Sequence, residues 1–166
     1  MAAVSRIERL VKRDATLVSI TLTDTVVAAA QLMSKHGIGS LVVLGSDNHL
    51  LGIVTERDVL GKVVAANLNP AKTPVADIMV KNVHTCTPQT DLDQAERMMA
   101  QHHIRHLPIV DNNAVAGMVS SRDVMAHKLA MAQSAVRRQS HILQDLEFQH
   151  PGITRLETDS AGRIIM

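Results

Sequence analysis

The feature that most restricts what this chain can fold into is a duplication. Gly52-Ile53-Val54-Thr55-Glu56-Arg57-Asp58-Val59-Leu60 recurs about 65 residues later as Gly117-Met118-Val119-Ser120-Ser121-Arg122-Asp123-Val124-Met125, with apolar, hydroxyl, Arg and Asp positions in step. Upstream, Gln31-Leu32-Met33-Ser34-Lys35-His36-Gly37-Ile38 matches Arg97-Met98-Met99-Ala100-Gln101-His102-His103-Ile104, and Thr21 pairs with Thr87. The period exceeds that of common solenoid units, so two copies of a small domain are implied. Within 166 residues neither copy can bury much core alone, which makes one cooperative unit the expectation.

Both copies parse alike. In the first, Val26, Ala29, Ala30 and Met33 share one helical face over 25–36, with Asp24 as candidate cap and Gly37 as the closing glycine. Strands follow at 40–44 and 50–54 around the turn Gly45-Ser46-Asp47-Asn48, and Thr55 opens a helix reaching about residue 66. The second copy predicts a helix over 91–101, strands over 107–110 and 115–119, and a turn at Asp111-Asn112-Asn113. The order is strand, helix, strand, strand, helix, an α+β class, with repeats at 1–66 and 75–130, a linker at 67–74 carrying two Pro and two Asn, and an extension at 131–166.

Composition narrows the chemistry. Apolar residues reach 46% while aromatics are 1%, so the core is aliphatic and Met-rich, with Phe148 the sole aromatic. Lys plus Arg number 17 against 16 Asp plus Glu, a net charge of +1 that gives little to neutralise a phosphate backbone, and the near absence of aromatic rings leaves nothing to stack bases; both features argue against nucleic acid as partner. No apolar run approaches the ~20 residues of a membrane helix. A single cysteine, Cys86, and no apolar leader point to a cytoplasmic protein. Cys86 reads better as a small buried strand residue than as a nucleophile.

The candidate chemistry lies where strand meets helix. Thr55 and Ser120 place hydroxyls at helix N-termini, which favour an anion such as phosphate. Asp58 and Asp123, three residues on, present carboxylates suited to the hydroxyls of a ribose, and Arg57 and Arg122 add fixed positive charge. The same hydroxyl-x-x-acid pattern is also a capping box. Its repetition with Arg beside Asp each time exceeds what capping requires. His102, His103 and His106 raise a metal reading, but the first two end a helix and the third begins a strand, so no continuous helical face carries them and no metal is expected.

Gly-apolar-x-Thr/Ser-x-x-Asp, after strands such as Leu107-Pro108-Ile109-Val110 and Leu41-Val42-Val43-Leu44, resembles the CBS repeat, named after cystathionine β-synthase; the resemblance runs from about Leu10 to Leu129. It implies two repeats packed through their sheets about a pseudo-two-fold axis with two nucleotide clefts between them. It further implies ribose contacts at Asp58 and Asp123, phosphate contacts at Thr55 and Ser120, and an adenine held by Val18, Ile38, Ile104, Ile53 and Met118. In similar modules basic residues ahead of the second copy's Leu-Pro strand meet phosphates. Arg105 and His106 stand there, whereas the first copy has Gly39 and Ser40, so the Asp123 cleft is expected to favour the more highly charged polyphosphate.

The expected ligand is regulatory, one of AMP, ADP, ATP, NAD(H) or S-adenosylmethionine, with no catalytic cofactor and no reaction. A homodimeric energy or redox sensor acting on an unidentified effector protein is the leading reading, with apolar helix faces at Val26, Ala30, Met33 and at Leu92, Met98, Met99 as association surfaces. The alternatives are a structural dimerisation module with non-functional clefts, an enzyme acting on the bound nucleotide, and a DNA-associated regulator. From His127 the chain stays helix-friendly to Gln149, with Leu129, Ala132, Val136, Gln139, Leu143 and Leu146 as a seam that either pairs with a partner copy or lies on its own domain. Pro151-Gly152 is expected to end it, and 153–166 to form a hairpin turning at 159–162.

Overall fold

A computed structural model describes residues 6–10, 17–149, 157–158 and 164–165, with side chains through residue 140. The chain divides into two compact units, 1–125 and 126–166. In the first unit, β1 (Ser19–Ile20) pairs parallel with β2 (Ser40–Leu44), which pairs antiparallel with β3 (Leu50–Thr55). Between β1 and β2 runs α1 (Val26–His36). Its N-cap is Thr25, whose hydroxyl accepts from Ala28 N, and not Asp24 as the sequence suggested. Asp24 instead closes the preceding turn, accepting at Oδ2 from Thr21 N at 2.8 Å and Thr21 Oγ1 at 2.7 Å. Both residues have capping chemistry, and the turn decides between them. Gly37 ends α1 at φ 62°, the left-handed conformation its missing Cβ makes free of strain.

The second repeat follows the same plan. α4 (Leu92–Gln101), capped by Asp91, leads to β4 (His106–Asp111) and β5 (Ala114–Ser120), an antiparallel pair turned by Asn112 and Asn113, both at positive φ. Only Cys86 represents the leading strand, bridging in parallel to Ile109. It is buried, and burial pushes its thiol up to about 11, which suits a packing residue. The repeat identity extends to single hydrogen bonds. Ile38 N donates to Met33 O and Ile104 N to Met99 O; Glu56 N donates to Gly39 O and Ser121 N to Arg105 O. Ser40 lies opposite Thr55 as His106 lies opposite Ser120.

Each repeat has its own core: Val26, Met33, Leu41, Val43, Val54 and Val63 are among the first, Leu92, Met99, Leu107, Ile109 and Val119 among the second. The short segments ahead of the repeats are exchanged between them. Val75 and Ile78 of α3 (Val75–Ile78), at the start of the second repeat, are buried in the first core. Ile7, in the helical turn Ile7–Arg9 at the start of the first, is buried in the second, and Leu10 packs against it. The hydrogen bonds correspond: Ile7 N to Thr90 O and Glu8 N to Pro88 O on one side, Val75 N to Asp24 O and Ala76 N to Leu22 O on the other.

The helix expected from Thr55 is in two parts, α2 (Glu56–Val59) and a wider π-helical turn, Leu60–Val64, in which Ala65 N donates to Leu60 O. Its counterpart in the second repeat is unbroken: α5 runs from Ser121 to Gln149, so the second repeat's helix and the extension are one element. The terminal hairpin is present as β6 (Glu157–Thr158) paired antiparallel with β7 (Ile164–Ile165). Pro151, Gly152 and the turn at 159–162 lie outside the described residues. Side chains of Leu143 and Leu146 do so too. No helix among the described residues is long and apolar enough to cross a membrane.

The association faces read from sequence need correction. Val26, Met33, Leu92 and Met99 are core residues, turned inward because each helix covers its own sheet. Among the described residues the most exposed large apolar side chains stand elsewhere, at Leu60 and Val64, at the repeat-equivalent Met125 and Leu129, and at Val136, each more than 60% exposed.

Candidate functional site

The hydroxyl-x-x-Asp turns form as full capping boxes in both repeats. Asp58 Oδ2 accepts from Thr55 N at 3.0 Å and Thr55 Oγ1 at 2.6 Å, while Asp58 N donates back to Thr55 Oγ1 at 3.3 Å. Asp123 Oδ2 accepts from Ser120 N at 2.8 Å and Ser120 Oγ at 2.5 Å, and Asp123 N returns to Ser120 Oγ at 3.3 Å. Capping thus uses the carboxylates that the sequence reading gives to a ligand; a box fixes each Asp rotamer at the mouth of a cleft and leaves acceptor capacity on its oxygens. The boxes are not equivalent. Asp58 Oδ1 takes an ion pair from Lys62 Nζ at 2.8 Å, and that ammonium also donates to Ile78 O at 2.6 Å. Lys62 was missed in the sequence, although acid and base four residues apart on a helix is its signature.

Each Asp lines a cleft. The Asp58 cleft, about 190 Å³, contains Thr55, Arg57, Ile53 and Ile104, with Arg105 and His106. The Asp123 cleft, about 500 Å³, contains Ser120, Arg122, Ser40, Val18, Ile38 and Met118, again with Arg105 and His106. Every residue singled out from the sequence thus lies on one of two cleft walls. The adenine candidates divide between them: Ile53 and Ile104 belong with Asp58, and Val18, Ile38 and Met118 with Asp123. Ser40 is recessed, 5% exposed.

The asymmetry expected from Arg105 and His106 does not follow from their placement, because they stand where both clefts meet. Gly39, the residue equivalent to Arg105, also lines both. A Cβ on Gly39 would lie 3.0 Å from Glu56 Oε2 and 3.7 Å from His106 Cε1, so both side chains reach the surface of Gly39. Burial pushes the His106 imidazole below its ordinary range, the Arg105 guanidinium adds to this, and Asp123 and Glu56 oppose it. A phosphate arriving here would join the carboxylates in favouring imidazolium.

Sequence reasoning missed Glu56 in the Asp123 cleft and a wall of the Asp58 cleft made by Val80, Asn82, Val83, His84 and His103. Apart from His103, that wall comes from the segment after α3: Val80 exchanges both backbone hydrogen bonds with Ile53, at 3.0 and 2.8 Å, extending the β3 edge. Gly52 permits the approach, since a Cβ there would be 2.9 Å from Val80 O. His103 has φ 53°, taking at the end of α4 the left-handed place that Gly37 takes after α1. His102 stacks on His84 with ring centroids 3.7 Å apart. Among the described residues no group of three or more His, Cys, Asp or Glu is placed to hold a metal ion.

Known proteins resemble this chain in sequence and fold. A mitochondrial CBS domain-containing protein of Arabidopsis thaliana, CBSX3, is 38% identical over 109 residues, 63% of this chain and 53% of that protein. The Bacillus subtilis CBS domain-containing protein YhcV is 33% identical over 125 residues, 74% of this chain and 88% of that protein. A solved structure of a protein with CBS domains from Burkholderia ambifaria superposes with a TM-score of 0.72 at 32% identity, covering 76% of this chain and 95% of the other. The chain spans about half the length of the first curated relatives it matches. The CBS domain model matches twice, over residues 8–65 and 75–130, the two repeats that share cores, capping boxes and clefts, and the chain therefore belongs to the CBS-domain family.

Proposed function

We propose that the paired repeats bind an adenine nucleotide as a regulatory ligand and catalyse no reaction on it. The observation that carries this reading is the doubled cleft: at equivalent positions a carboxylate is pre-oriented by a hydroxyl, an arginine stands beside it, and aliphatic side chains form the remaining wall. A ribose diol suits the carboxylate, a phosphate suits the guanidinium, and a flat base suits an apolar slot. A ligand that binds only the folded chain raises its melting temperature in proportion to the logarithm of its concentration. AMP, ADP, ATP, NAD(H) and S-adenosylmethionine are tested in turn, with chromatography of the same solutions. At least one of them is expected to raise the melting temperature and to be recovered unchanged. No shift at millimolar concentration would favour a structural module; accumulating product would favour an enzyme.

The sensor is proposed to work as a homodimer passing its state to an effector protein. Leu60, Val64 and Met125 support this: two of these positions are repeat equivalents, and apolar side chains of this size exposed at the same place in both repeats suit a two-fold interface. Sedimentation of the full chain at micromolar concentration is expected to give a dimer, and Leu60→Glu a monomer with unchanged melting of the repeats. A wild-type monomer would remove the dimer from the proposal.

A further inference from the structure

The two clefts carry different charges. Around Asp58, whose carboxylate is already paired with Lys62, stand Arg57, Arg105 and three histidines, His84, His103 and His106. Around Asp123 stand Arg105, Arg122 and His106, but also Glu56, whose carboxylate lines this cleft alone and lies beside Gly39 and His106. Glu56 belongs to the first repeat and its repeat equivalent is Ser121, so this negative charge has no counterpart. It takes no part in the capping box, which uses Thr55 and Asp58, so the fold does not require its charge.

Taking the adenosine reading above as its basis, we infer that Glu56 sets the specificity of the Asp123 cleft, admitting an adenosine ligand with one phosphate or a cationic tail and repelling a polyphosphate, which goes to the Asp58 cleft. A polyphosphate chain places several negative charges near one carboxylate, whereas a monophosphate keeps Arg122 and Arg105 as its neighbours. The repulsion is electrostatic and weakens with added salt. Glu56→Gln removes the charge and keeps the shape.

The test is titration calorimetry of the full chain with AMP and with ATP in magnesium-free buffer. Wild type is expected to bind AMP in both clefts and ATP in one. Glu56→Gln is expected to bind ATP in both, the Asp123-cleft site tightening about tenfold or more into the measurable range, and to tighten AMP much less, because AMP carries fewer negative charges. Adding Asp123→Ala should remove the gained ATP site, placing it in that cleft. Two ATP sites in wild type, an unaltered second site in Glu56→Gln, or a gained site that survives Asp123→Ala would each overturn the inference while leaving adenosine binding intact. Absence of heat with either nucleotide in wild type would overturn the adenosine reading and this inference with it.

Discussion

Ile7→Ala is expected to lower the free energy of unfolding by about 3 kcal/mol, within the range for deleting most of a buried isoleucine. Ile7 has no exposed surface, and the core it fills is that of the other repeat, beside Leu92, Leu107 and Val119. The loss combines the transfer of the removed methylenes with the cavity left between α4 and β5, which fixed neighbours cannot close. Val75→Ala should cost somewhat less, because valine is smaller, and should act on the first core. Glu8→Ala is the control: Glu8 is exposed, and its backbone bond to Pro88 O survives the change. Urea unfolding of the three variants decides the matter. An Ile7→Ala loss below about 1 kcal/mol, as for a surface change, would show that the turn is not part of the second core.

Arg105→Ala is expected to weaken ATP binding about a hundredfold, more than either Asp58→Ala or Asp123→Ala. Hydrogen bonds to charged groups contribute about 1.5 to 3 kcal/mol each, and a guanidinium engages a phosphate by two of them at once. The carboxylates serve one cleft apiece, whereas Arg105 faces both, the Asp58 cleft assigned to ATP included. Arg105 is exposed and its backbone oxygen keeps the bond from Ser121 N, which leaves the fold in place. Calorimetric titration of the three variants gives the ranking. A loss at Arg105 smaller than that at Asp58 would show that phosphates do not reach the place where the clefts meet.

The repeats and their site motifs were legible because they are written in contiguous residues. A β-branched run such as Leu41-Val42-Val43 and a hydroxyl three residues before an aspartate carry their own structure, and the duplication confirmed each from the other. What failed to show was relational. Ile7 and Leu10, like Val75 and Ile78, form an apolar pair three apart, too short to reveal a buried turn and silent about which core receives it. Arg105 was given to one cleft because it precedes a strand of one repeat; chain position does not tell that such a residue stands at a border. Glu56 looked like an ordinary acid at a helix start, since nothing local marks that its carboxylate reaches the other repeat's cleft. At Val26, Met33, Leu92 and Met99 the sequence shows an apolar face but not how much sheet lies beneath it.

The exchanged turns bear on how such a chain could have arisen. A gene of half this length would encode one repeat with one leading turn, whose apolar pair fits the groove of a repeat that is not its own. Two copies of that short product would satisfy each other by trading turns, an ancestral swapped dimer whose subunits depend on concentration to stay together. Fusion through a segment like 67–74 turns that encounter into an intramolecular one, with an effective concentration set by the linker and no longer by expression. Once joined, the halves are free to diverge, because each no longer has to be its own partner. Here one half carries glutamate at position 56 where the other carries serine at 121, so two clefts built on one plan are lined differently.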